Sequence, residues 1–138
     1  MPTQTNTSFW LVASLALTAS LWIPYVLERF VRIGIPQSLM NPKTGGPDDR
    51  APWAQRAARA HLNAVENLAV FAPLALLALQ QGLGATALAG GAAAVYFWAR
   101  LVHFVCYSAG VPVVRTLAFV AGFGAQAALV VALLGRAS

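Results

Sequence analysis

Arg59, Asn63 and Glu66 fall at i, i+4 and i+7, which places them on one face of a helix over about 10 Å of rise. Arginine supplies a fork of donors, asparagine both donors and acceptors, and glutamate acceptors alone. His61 and Asn67 flank this face. Arg100, His103 and Tyr107 repeat the arrangement at i, i+3 and i+7, and Arg115 follows a Gly110-Val111-Pro112 turn. Three arginines facing one carboxylate suit an anionic ligand that also carries an ammonium group. Its carboxylates would take arginine forks and its ammonium would take Glu66. Two histidines on different helices, without a cysteine or carboxylate cluster at ligand spacing, are a weak metal signal, so no metal is expected. Cys106 is the only cysteine, which excludes an intrachain disulfide, and it reads as a small packing residue.

The elements that must position these groups are membrane helices. The 138 residues are 59% hydrophobic and 9% charged, where a soluble domain would carry about 25% charge. Phe9–Leu27, Leu68–Leu79, Gly84–Ala99 and Thr116–Gly135 are uncharged. Each reaches the roughly 20 residues a span needs once its polar end is included. Backbone groups in lipid must be satisfied within the segment, and barrel-type alternation is absent, so the expectation is an all-α, four-transmembrane-helix bundle. The helices are expected at about 8–32, 52–80, 85–109 and 112–135 of a single membrane domain spanning 1–138. Pro24 and Pro73 predict kinks. The connection 33–51, rich in Pro, Gly and Asp, predicts a loop. Without a basic stretch before Phe9, the first span is expected to be retained rather than cleaved. Small residues in Gly84–Ala94 and at Gly122, Gly124, Ala125, Ala127 and Ala128 permit close helix approach.

Four spans put both termini on one side. Arg29, Arg32, Lys43, Arg50 and Arg56 surround the first loop and Arg115 adjoins the 3–4 loop, whereas the other side has Arg136. The positive-inside rule therefore predicts cytoplasmic 1–2 and 3–4 loops. The same bordering of spans argues against nucleic acid as the reason for the net charge of +5. Arg59–Asn67, Arg100–Tyr107 and Arg115 then share the cytoplasmic half of the bilayer, a costly place for charge and hence a functional signal. A plainer reading also stands at this point. Glu66 could neutralise Arg59 or Arg100, Tyr107 could belong to an interfacial aromatic belt, and Arg115 could anchor a helix end by snorkelling.

Arg59-Ala60-His61-Leu62-Asn63-Ala64-Val65-Glu66-Asn67 resembles the second-helix signature of the MAPEG family (membrane-associated proteins in eicosanoid and glutathione metabolism), closest to its microsomal glutathione transferase branch. Arg100-Leu101-Val102-His103 with Tyr107 resembles the third-helix motif. Arg115-Thr116-Leu117-Ala118-Phe119 with Gly122-Phe123-Gly124 resembles the opening of the fourth helix, and Asn41-Pro42 and Asp48-Asp49-Arg50 resemble the cytoplasmic loop. The resemblance implies a homotrimer that binds glutathione between subunits in the cytoplasmic leaflet, among membrane lipids. It implies that Arg59, Asn63, Glu66, Arg100, His103 and Tyr107 hold glutathione, with Arg29 as the first-helix arginine and Arg32 competing for that place. Arg115 would be the catalytic residue beside the sulfur. Ala64 departs from the signature, which commonly has an acid there, so a second carboxylate is not expected.

The implied activity is a glutathione-dependent transferase or peroxidase acting on lipophilic electrophiles or lipid hydroperoxides, with glutathione as cosubstrate. A free thiol has a pKa of about 8.5 and nearby cations lower it. The alternative is a non-catalytic trimer that binds glutathione or an anionic lipid-like ligand. A transporter is disfavoured, because no internal repeat or paired broken helices are present.

Overall fold

The computed structural model describes residues 6–40 and 48–137. Asn41-Pro42 and Lys43 lie outside the described residues. Six helices account for most of the rest: α1 Thr7–Ser20, α2 Ile23–Ile33, α3 Ile35–Ser38, α4 Pro52–Gln80, α5 Ala87–Ala109 and α6 Pro112–Ala137. No strand occurs among the described residues.

Helices α1 and α2 together make the first span, broken where the sequence places Pro24. Proline has no N–H to give the Ser20 carbonyl, and the ladder tightens as Leu21 N–H donates to Thr18 instead. Pro73, in contrast, leaves α4 unbroken. The expected loop 33–51 is interrupted by one helical turn, α3. Gly34 at φ +83° ends α2, and Pro36 suits the first turn of α3. Thr86 caps α5 by accepting from the Ala89 N–H at 3.2 Å, which moves the start of that helix to Ala87. Four described segments are long and apolar enough to cross a membrane: Thr7–Ile33, Pro52–Gln80, Ala87–Ala109 and Pro112–Arg136. They fit a multi-pass membrane protein.

Helix α5 sits at the centre, packed on α1, α4 and α6. Small residues make this possible: Ala54, Ala57, Ala60, Ala64, Ala89 and Ala93 are all buried. Toward the Thr86 end, Phe71 and Tyr96 stack with centroids 3.7 Å apart among Leu11, Ala75, Leu129 and Leu133. A second cluster joins Leu21, Ala57, Ala60, Ala64 and Phe104. Outward positions such as Phe9, Val12, Leu76, Val120 and Val131 are apolar, as a lipid-facing surface requires.

Polar ties hold the helix ends. Arg56 Nε donates to the Ser108 carbonyl at 3.0 Å and so closes the C-terminus of α5. Glu28 accepts from the Ala51 N–H at 3.1 Å at the start of α4 and also meets Arg32 at 3.6 Å. Arg50 hydrogen-bonds Asp48, which holds that carboxyl below the usual carboxylate range.

Candidate functional site

Three helices bring the polar motifs together. Arg100 projects from α5 into the bundle and is 2% exposed. Its Nη1 donates to Asn63 Oδ1 on α4 at 3.2 Å. The guanidinium lies 5.8 Å from the Tyr96 ring and 5.5 Å from the Phe119 ring of α6, within cation–π range of both. Its Nε and Nη2 are buried and have no hydrogen-bond partner among the described residues. Leaving donors of a charged group unmet in an apolar interior is expensive.

One turn along α5, His103 is 5% exposed, with its ring 5.5 Å from Tyr107 and 6.2 Å from Phe119. Tyr107 in turn carries Arg115, whose guanidinium stands 4.8 Å from the ring centroid. Asn63, Arg100, His103, Tyr107 and Arg115 thus form a continuous series across α4, α5 and α6, with Phe119 touching two of its members. A shallow, open groove of about 310 Å³ lined by Pro112, Val113, Thr116 and Leu117 lies on the same turns of α6 as Arg115.

Other expected site residues stand apart from this series. Arg59 and Glu66 lie on the exposed side of α4. Glu66 makes no ion pair among the described residues, so the plainer reading in which it neutralises Arg59 or Arg100 does not hold within the chain. Of the two candidate first-span arginines, Arg32 lies 3.6 Å from Glu28, whereas Arg29 has a buried Nε without a partner among the described residues. Neither touches the series on α4–α6. His61 is engaged elsewhere, its Nδ1 2.9 Å from the Tyr25 hydroxyl, and it ties α2 to α4. Ala64, 2% exposed, belongs to the cluster with Leu21 and Phe104, against which Tyr107 and Tyr25 pack.

The sequence reading missed Gln126, Asn67's link to it, and the role of Gly122. Gln126 is buried and its Nε2 donates to the Asn67 carbonyl at 3.2 Å. A lone amide within the uncharged run Thr116–Gly135 is the signal that could have found it, because a polar side chain in a span faces the bundle.

The sequence profile of the MAPEG family matches residues 7–135, nearly the whole chain. This chain belongs to the MAPEG family. Neither a curated protein nor a solved structure matches it. MAPEG membership is consistent with a membrane function related to glutathione or to eicosanoid metabolism. The family includes glutathione transferases and related enzymes, and it also has non-catalytic members.

Proposed function

We propose that this MAPEG protein is a glutathione-dependent membrane transferase or peroxidase acting on lipophilic electrophiles or lipid hydroperoxides. One observation carries the reading. Two arginines, Arg100 and Arg115, join a series of polar and aromatic side chains inside a helical bundle without a carboxylate partner among the described residues. An anion is the natural complement of such a site, and glutathione offers two carboxylates, one ammonium and a thiol.

In this proposal Arg59, Asn63 and Glu66 meet the peptide part of glutathione on the outer face of α4. Arg59 takes a carboxylate and Glu66 takes the ammonium. Arg100 supplies positive charge beneath Asn63, and His103 and Tyr107 lead toward Arg115. Arg29 contributes from α2 of a neighbouring copy, or Arg32 does so if its pair with Glu28 opens. Exposed charges on a membrane helix are costly toward lipid, so the exposure of Arg59 and Glu66 supports a covering copy, as the homotrimer implied by resemblance would supply. The 1–2 and 3–4 loops would face the cytoplasm, where the basic residues concentrate.

Arg115 would stabilise the thiolate by its charge and by donating N–H to sulfur. In conjugation the thiolate attacks an electrophilic carbon, a C–S bond forms, and the leaving group departs with the electron pair. In peroxide reduction it attacks the distal oxygen, the O–O bond breaks, and the alkoxide takes a proton to leave as alcohol. A second glutathione then displaces hydroxide from the sulfenic acid, giving glutathione disulfide and water. Holding both reactants together does the rest, without a protein nucleophile. The groove at Pro112–Leu117 offers an apolar approach from the bilayer.

The test is calorimetric titration of the detergent-purified protein with glutathione, followed by turnover on a panel of electrophiles and lipid hydroperoxides. Binding with turnover supports the proposal. Binding without turnover on any member would favour the non-catalytic alternative, and no binding at millimolar glutathione would reject the proposal and leave only the anionic lipid-like ligand of that alternative.

A further inference from the structure

Arg100 is 2% exposed, and its hydrogen bond among the described residues goes to Asn63, which raises the question of what it does through that amide. The answer lies in the amide it touches. Asn63 Oδ1 accepts from Arg100 Nη1 at 3.2 Å and lies 3.4 Å from Asn67 Nδ2, so two donors converge on that oxygen. A guanidinium has donors alone, so the orientation of the Asn63 amide is settled. Its Nδ2 makes no hydrogen bond among the described residues and remains a donor, on a half-buried residue that shares the i, i+4, i+7 register of Arg59 and Glu66.

Arg100 is itself seated by α6. A Cβ added at Gly122 would lie 2.7 Å from Arg100 Nη2 and 3.1 Å from Nε, whereas one added at Gly124 meets nothing within 4 Å. Glycine weakens a helix relative to alanine, so a glycine whose missing side chain is replaced by a guanidinium is there to admit it. Gln126, one turn beyond Gly122, bonds the Asn67 carbonyl, and Asn67 Nδ2 bonds the Asn63 carbonyl at 2.8 Å. The height of α6 against α4 is thereby pinned beside the Asn63–Arg100 pair.

We propose that Arg100, Gly122 and Gln126 are positioning residues that act through Asn63, fixing its amide so that its N–H donors face an anionic ligand on the outer side of α4. The proposal rests on the proposed function only for the identity of that anion, a glutathione carboxylate.

Asn63→Asp is the discriminating variant. A carboxylate would pair with Arg100 and compensate its buried charge, yet it would present an acceptor where the amide presents donors. The expected result is a higher melting temperature in detergent together with glutathione affinity lowered by roughly tenfold or more, since a charge-assisted hydrogen bond is exchanged for repulsion. A residue with a merely structural role would not move these two readouts in opposite directions. Gly122→Ala should also weaken glutathione binding, and Gly124→Ala should leave it unchanged. Wild-type binding with Asn63→Asp binding equally well would overturn the proposal and leave the proposed function standing. If the wild type binds no glutathione, the proposed function fails separately, and the melting temperatures still decide the Asn63–Arg100 coupling. Loss of the Asn63→Asp gain in an Arg100→Met background supports the coupling, and absence of any gain refutes it.

Discussion

In the proposed function, Arg115 and Arg59 would divide the tasks that bound glutathione sets. Arg115 rests on the Tyr107 ring at the mouth of the buried series, where its charge would act on sulfur. Arg59 stands on the open side of α4, where its fork would act on a carboxylate. Arg115→Ala is therefore expected to lower kcat by about 10²-fold, the usual cost of removing one preorganised donor at a developing anion, with a smaller effect on binding. Arg59→Ala should raise KM with kcat nearly kept, as loss of uniform binding does. Steady-state kinetics on both variants check the split, and equal losses in both parameters for both would contradict it. At this scale the sequence was informative where spacing fixed a face. Arg100, His103 and Tyr107 share one side of α5 as their i, i+3, i+7 pattern predicts. It was silent on depth along that side, which depends on what α6 offers opposite. Gly122 and Gly124 look alike in the sequence, yet only Gly122 meets Arg100.

Among the elements, α5 is the scaffold, and its ends and centre are held by different physics. At the C-terminus Arg56 reaches across from α4 to the Ser108 carbonyl, a contact that satisfies one of the open acceptors of a helix end. Arg56→Ala should destabilise by about 1–2 kcal/mol, the worth of a charge-assisted bond at a partly buried site. Glutathione affinity should be unaffected, because Arg56 touches no site residue. At the centre, Tyr96 contributes its ring to the Phe71 stack while its hydroxyl is buried without a partner among the described residues. Tyr96→Phe keeps the ring and removes the orphaned group, so stability should be unchanged or higher. Thermal unfolding in detergent reads both variants, and a large loss for Tyr96→Phe would show an unaccounted partner. The helix pattern was legible because the apolar runs are long and Gly110-Val111-Pro112 marks a turn, whereas the cap at Thr86 was not read, and Pro24, expected to kink a continuous helix, accompanies a break between α1 and α2. The turn of α3 was not, since Gly34 and Pro36 signal a loop as readily as a short helix.

For the whole molecule, the four spans follow from composition, whereas the surroundings of the site do not. Arg59 and Glu66 are exposed on a helix long and apolar enough to cross a membrane, so an isolated chain in a bilayer would leave two charges uncovered. The proposed homotrimer removes that cost by placing them against a neighbour. Native mass spectrometry from mild detergent should find three copies, and Glu66→Lys should weaken the assembly or its glutathione binding. A monomer that retains glutathione would show the site to be complete in one chain. In the proposed homotrimer the residues covering Glu66 would belong to another copy, and periodicity within one sequence does not place them.

The most direct measurement is ultraviolet difference absorbance of the purified protein on adding glutathione near neutral pH. A free thiol with a pKa of about 8.5 is mostly protonated there, so a thiolate band must come from the site. The proposed role of Arg115 predicts a saturable thiolate signal in the wild type that disappears in Arg115→Ala while calorimetric binding persists. Saturable glutathione binding with no thiolate band, or a band unchanged by Arg115→Ala, would contradict it.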